Sequence, residues 1–291
     1  VDFVGKRRPD RLPISVVRLL PISLETFEPV AGVALRREPV LNQVQLGIIE
    51  AIRSDPTRYA NGIRLVAMQD ESTGAIGLAS QTPPYKVVVS VATVELAHAL
   101  GREFAARFPE ARVVHGPDDA ARAFAHGAGA IDPAVATDEA VFELRALTPP
   151  PPVAGRARVA EPRDADILQA WCDAFTDEAQ SAGTPKDPKA GARMANSGRT
   201  WIWLRADGIP VSMANNPRRV GGWWAIGPVY TPPEHRGHGY ASGLVAHASG
   251  LALTSGAPGC TLFTDLSNPV SNRIYERLGY RRVGTCATLK W

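Results

Sequence analysis

Between residues 14 and 147, short apolar runs alternate with longer amphipathic ones. ISVVRLL (14–20) predicts a strand, and a helix should follow from Ser23, read as its N-cap, to Arg37. A second helix begins at about Leu41, where Val44, Ile48, Ile49 and Ile52 recur at helical spacing until Ser54-Asp55-Pro56 stops the run. IRLVAMQ and AIGLASQ, divided by the polar turn Asp70 to Gly74, predict two strands, and KVVVSVA (86–92) a third. TVELAHALGREFAARF then reads as a helix, ARVVHG as a strand, DDAARAFAHGAGA as a helix and AVFELRAL as a closing strand. The series is an alternating α/β unit of about 140 residues, the size of one domain.

Thr148 to Gly155, TPPPPVAG, breaks all periodicity, and its four prolines favour extended geometry, so the domain boundary is placed there: residues 1–150 and 151–291. The same order of elements then begins again. A strand (ARVAE), a helix (ADILQAWCDAFTDEA), a second helix near DPKAGARMAN and two strands (TWIWLRA, PVSMANN) lead to an apolar strand from Trp223 to Thr231. A Gly-rich turn follows, then a helix to about Leu253 with Ala241, Leu244, Val245, Ala248 and Ala252 on one face. Gly243 and Gly250 interrupt that helix, which predicts close packing against both. A strand from Cys260 to Thr264, a helix from Pro269 to Leu278 and a strand from Tyr280 close the chain. The halves differ at one point: after KVVVSVA, Thr93-Val94-Glu95 runs straight into a helix without a Gly-rich turn. The first half is therefore expected to support or cover an active second half.

Composition changes this picture little. The 291 residues are 45% hydrophobic and 21% charged, an ordinary globular balance, and the net charge of +3 gives no general argument for nucleic acid. Lys6, Arg7, Arg8 and Arg11 form a short terminal basic cluster, read as a solvated end. Three widely spaced cysteines suggest neither a disulfide framework nor a zinc site, which fits a reducing compartment. The start has no apolar h-region, and no later segment has the ~18 unbroken apolar residues of a membrane span, so a cytoplasmic protein without membrane or metal is expected.

The candidate chemistry gathers in the second half. Arg236-Gly237-His238-Gly239-Tyr240-Ala241 stands where a helix begins, so backbone N–H groups there lack partners within the helix and attract a phosphate-bearing ligand. Gly237 and Gly239 let backbone and ligand approach closely. Upstream, Gly227-Pro228 predicts a bulge or a place where strand pairing is given up, which frees backbone groups at Val229 and Tyr230 for an extended ligand. Downstream, Asn268 and Tyr275 lie seven apart, on one helix face, and a phenol there can donate a proton to a leaving group.

Together these pieces resemble the GNAT superfamily of N-acetyltransferases, whose acetyl-CoA motif is Gln or Arg, two residues, Gly, one residue, then Gly or Ala. Arg236, Gly239 and Ala241 match it in register, and Asn268, Tyr275 and Leu278-Gly279-Tyr280 match the later motif. The resemblance implies a mixed α/β fold of two tandem GNAT-like domains, each a largely antiparallel sheet flanked by helices, the first degenerate and without a cofactor site. It implies acetyl-CoA held by Pro228, Val229 and Tyr230, by the turn from Arg236 to Ser242, and by Asn268, Asn272 and Tyr275. Val229 would give the oxyanion its N–H and Tyr275 would protonate the thiolate.

The implied activity is direct acetyl transfer to an amine, of a small molecule rather than a protein. Many members of the superfamily carry a Glu on the bulged strand as general base, whereas Trp223 to Thr231 contains no acid. Asp265 is the first substitute, with Glu178 and Glu234 as alternatives. Trp201, Trp203, Trp223 and Trp224 either line an apolar acceptor pocket or pack the core. A CoA-responsive sensor without turnover is the rival reading. A dinucleotide-binding domain fits less well, because the turn lacks a third glycine.

Overall fold

A computed structural model describes residues 16–179, 185–216 and 218–291. The basic cluster at Lys6 to Arg11 and the start of the first predicted strand lie outside the described residues. In the first half, β1 (Val17–Leu20) leads through a π-turn (Glu28–Gly32) to the short α1 (Val33–Leu35) and then to α2 (Gln43–Ser54), β2 (Arg64–Asp70), β3 (Ile76–Gln81) and β4 (Val87–Val89). Next come α3 (Val94–Arg107), β5 (Val113–Pro117), α4 (Asp118–Gly127) and β6 (Ala134–Leu144). The second half holds β7 (Arg156–Val159), α5 (Ala165–Glu178), α6 (Ala190–Ala195), β8 (Thr200–Leu204), β9 (Pro210–Asn215), β10 (Arg218–Val220), β11 (Trp223–Ala225) and β12 (Val229–Tyr230). It ends with α7 (Tyr240–Thr254), β13 (Cys260–Asp265), α8 (Pro269–Arg277) and β14 (Arg281–Lys290).

Most predicted elements form, with two corrections of extent. Helical structure in the first segment starts at Glu28 rather than Ser23; Ser23 and Thr26 exchange hydrogen bonds in a separate turn, and Pro29 lacks an N–H to continue a regular ladder backwards. Strand β6 starts at Ala134, six residues before the predicted AVFELRAL run, because its first residues carry no apolar alternation and two of them, Thr137 and Glu139, line a cleft.

The strands make a ten-stranded sheet, β1-β2-β3-β4-β5-β14-β6-β13-β11-β10, and a four-stranded sheet, β12-β9-β8-β7. The large sheet is built from both halves. First-half β6 pairs with second-half β13, from Cys260↔Leu144 to Asp265↔Glu139, while the final strand β14 pairs with first-half β5. The antiparallel β6–β14 pair sits at the centre. On either side of it come β5 then β4, and β13 then β11, each outer pair parallel. The two halves thus exchange their closing strands.

Helices cover both faces. Phe104 and Phe124 of α3 and α4 pack on Val114, Ala287 and Leu289, a core made with the last strand of the chain. Where α3 meets α4, a Cβ on Gly101 or Gly127 would come within 2.0 Å of a carbonyl oxygen of the other helix, so only glycine allows this approach. Leu244, Val245, Ala248 and Ala252 of α7 pack on Leu262, Phe142 and Leu144. Helices α5 and α6 cover the other face of the small sheet through Leu168, Trp171 and Met194. The four tryptophans are core and not an acceptor pocket: each is at least nine-tenths buried, and Trp201 stacks on Trp224 at 6.2 Å. Gly243 is needed where the Trp203 ring lies 3.0 Å from its would-be Cβ, but the nearest neighbour of Gly250 is 3.7 Å away, so close packing explains only the first.

Candidate active site

The strand predicted from Trp223 to Thr231 divides between the two sheets. Its first part, β11, runs parallel to β13 in the large sheet, and its second part, β12, runs antiparallel to β9 in the small one. Asn215 faces both residues of the intervening pair: Gly227 N–H donates to Asn215 O at 2.7 Å, and Asn215 N–H donates to Pro228 O at 3.1 Å. Two residues against one is a bulge, and Pro228 has no N–H to close it. Because successive residues of an antiparallel strand point their backbone groups to opposite sides, Pro228 O facing β9 turns the N–H of Val229 away from β9. Among the described residues strand β12 has no neighbour on that side, so the N–H faces the opening between the sheets.

The corresponding place in the first half is closed. There β4 pairs antiparallel with β3 and parallel with β5 in one continuous sheet. The helix that follows is capped by its own sequence, since Thr93 accepts from Leu96 N–H at 3.3 Å. In the second half the equivalent helix α7 starts from Gly239, in the left-handed region at φ 79°, without a side-chain cap. Its first backbone bond runs from Gly243 N–H to Gly239 O, so the N–H groups of residues 237 to 242 have no hydrogen-bond partner among the described residues. A Cβ on Gly237 would stand in open space. Uncapped donors at a helix N-terminus beside an open backbone fit a diphosphate with an extended arm.

The opening forms part of a cleft of about 2080 Å³. Pro228, Val229, Tyr230, the turn from Arg236 to Ser242, Asp265, Asn268 and Tyr275 all line it. Asn272 does not: its Nδ2 donates to Asp265 O at 3.2 Å, and it holds the loop after β13. Asn268 Oδ1 accepts from Ser271 N–H at 3.1 Å, the N-cap expected before Pro269. Tyr275 packs against Phe142 and Tyr280, and burial pushes its phenol up to about 12, which keeps the proton on the oxygen. Asp265 Oδ1 accepts from both the N–H and the hydroxyl of Ser267, at 2.7 and 2.6 Å.

Glu178, an alternative base by sequence, and several other cleft residues take roles that sequence did not assign. Glu178 binds the Tyr230 phenol at 2.9 Å and Arg236 Nη2 at 2.6 Å, so it braces the turn. Burial and this bond to Glu178 raise the Tyr230 pKa. The proline run Pro149 to Pro152 and Val153 line the cleft rather than spanning solvent, and Trp203 Nε1 donates to Ala154 O at 3.1 Å. First-half residues Lys86, Thr137 and Glu139 also line it, with Thr288 of β14. Their signal was weak because partner strands more than a hundred residues apart bring them together.

Comparison with known proteins agrees with this geometry. Residues 165–280 match the family model described as Acetyltransferase (GNAT) family. A GCN5-related N-acetyltransferase from Sphaerobacter thermophilus superposes with TM-score 0.59 at 18% identity, over 97% of this chain and 96% of that one. A GNAT-family acetyltransferase from Colwellia psychrerythraea gives TM-score 0.57 at 9% identity, over 95% and 99%. A tandem GNAT protein from the clavulanic acid biosynthesis pathway gives 0.53 at 14%, over 95% and 98%. At such identities the structural likeness shows the fold. No curated protein matches the sequence. Residues 165–280 thus carry the likeness to the GNAT acetyltransferases, and this match supports acyltransferase activity.

Proposed function

We propose that the protein transfers an acetyl group from acetyl-CoA to the amine of a small molecule, by direct attack while both are bound. The observation that carries this reading is the row of unpartnered N–H groups from residue 237 to 242, set beside the split between β11 and β12. These donors and the α7 dipole hold the pyrophosphate, and β12 offers its open edge to the pantetheine amide groups. Acetyl-CoA, when bound, supplies an acetyl group activated as a thioester. Val229 N–H stabilises negative charge on the carbonyl oxygen, and Tyr275 gives its proton to the departing sulfur. Residues 1–150 form a degenerate GNAT-like domain without a cofactor cleft, supported by the unbroken β3-β4-β5 pairing and the Thr93 cap. The three free cysteines fit a cytoplasmic setting.

Isothermal calorimetry with acetyl-CoA, followed by thiol release with a panel of polyamines, amino sugars, arylalkylamines and amino acids, tests the reading. Binding with acceptor-dependent thiol release is expected. Binding without release for any amine would favour a sensor.

A further inference from the structure

The cleft that Val229 lines is also walled by strands of both halves. Ala225 of β11 is in register with Thr261 of parallel β13, and beyond the split between the sheets Val229 of β12 and Asp265 of β13 both line the cleft. Asp265 in turn stands directly opposite Glu139 of β6, and both line the cleft. Like charges placed opposite each other on an antiparallel pair repel. Two carboxylates facing one open cleft in this way suit a cationic ligand between them.

We propose that Glu139, carried into the second-half site on the exchanged first-half strand, is the general base that deprotonates the acceptor amine, with Asp265 opposite it holding the ammonium. The assignment rests on the transferase reading above and places the base that β11 and β12 do not carry. Asp265 has one oxygen committed to Ser267, which suits a fixed anchor. Glu139 is three-quarters buried, with its Oε2 3.7 Å from His115 Nδ1. Burial raises its pKa, the charge of Lys86 opposes this and that of Asp265 adds to it; the net direction is upward. Thr137, two residues earlier on the same strand face, has a buried hydroxyl oxygen without a hydrogen-bond partner among the described residues, in the same cleft. Lys86 Nζ donates to Thr288 Oγ1 at 3.2 Å; burial lowers its pKa, and the charge of Glu139 opposes this.

The proton balance closes. The ammonium gives one proton to the Glu139 carboxylate, and Glu139 later releases it to water. The neutral nitrogen forms the C–N bond as the C–S bond breaks, Tyr275 protonates the sulfur, and the proton left in excess on nitrogen returns to the Tyr275 oxygen.

The test compares wild type with Glu139→Gln in kcat/KM against pH, using the best primary amine from the panel above. The expected loss is about 10²-fold or more at neutral pH, together with loss of the wild-type acid limb, at unchanged acetyl-CoA affinity. His115 on β5, Lys86 just before β4, Asp265 on β13 and Cys286 on β14 also face this carboxylate. An acid limb retained in Glu139→Gln would therefore belong to one of them and overturn the assignment, as would turnover within about threefold of wild type. If Glu139→Gln does not bind acetyl-CoA because it fails to fold, Glu139→Asp serves instead; it keeps the charge and should lose rate while retaining the limb, and an unchanged rate would overturn the assignment. Wild type that binds acetyl-CoA but releases no thiol with any amine sinks the transferase reading itself, and the base with it.

Discussion

Arg236 donates from Nη2 to Glu178 Oε2 at 2.6 Å, which ties the first residue of the Gly-rich turn to the last residue of α5. Both side chains are nearly half exposed, so the pair adds little to global stability, about 0–1 kcal/mol. Its role is to hold the turn in place. Glu178→Gln should weaken acetyl-CoA binding about 3- to 10-fold, roughly 1 kcal/mol, while Tm moves little. Calorimetry and a thermal melt on the same sample check both halves of this expectation.

Tyr275→Phe keeps the ring against Phe142 and Tyr280 and removes only the hydroxyl. The expected result is a kcat lower by about 10²- to 10⁴-fold with acetyl-CoA affinity preserved. Since burial raises this phenol to about 12, it stays protonated throughout the neutral range and should impose no basic limb there. Steady-state kinetics across pH will show turnover unchanged if Tyr275 is not the acid.

Gly239 has φ 79°, and a Cβ there would meet Val153 Cγ2 at 3.2 Å. Gly239→Asp would also set a carboxylate among the unpartnered N–H groups. Acetyl-CoA affinity should fall on the order of 10²-fold or more while the circular dichroism spectrum persists. Wild-type affinity in this variant would mean that the pyrophosphate binds elsewhere.

Arg158 holds Asp164 with two hydrogen bonds of 2.6 and 2.7 Å, and Asp164 also accepts from Glu161 N–H at 2.7 Å. Asp164 is almost fully buried, so Asp164→Asn, which leaves Arg158 without its counter-charge, should cost about 3 kcal/mol in urea unfolding at neutral pH. The bond from Arg158 lowers the folded-state pKa of Asp164 below its ordinary value. Its stabilisation is therefore fully present above the unfolded carboxyl pKa and is lost as pH falls through the lower folded value. The gap between wild type and variant should narrow in acid.

Much of the site was readable because its chemistry is local. The glycines of the turn, the helix that follows, the bulge at Gly227-Pro228 and the Asn268 cap each depend on residues within a few positions of one another. The periodicity of α3 and α7 likewise announced helices and their buried faces. The strand from Trp223 to Thr231 was legible as a strand with a break, but not as two strands in different sheets.

Alternation of apolar residues tells a strand which face to bury and says nothing about which strand lies beside it. Sequence by itself therefore determined the elements, their repeated order and the unpartnered N–H groups of one helix end. The tertiary structure alone decided that β6 and β14 change places, since pairing is settled by competition among all available edges. That exchange put Glu139 opposite Asp265, which sequence order separates by more than a hundred residues.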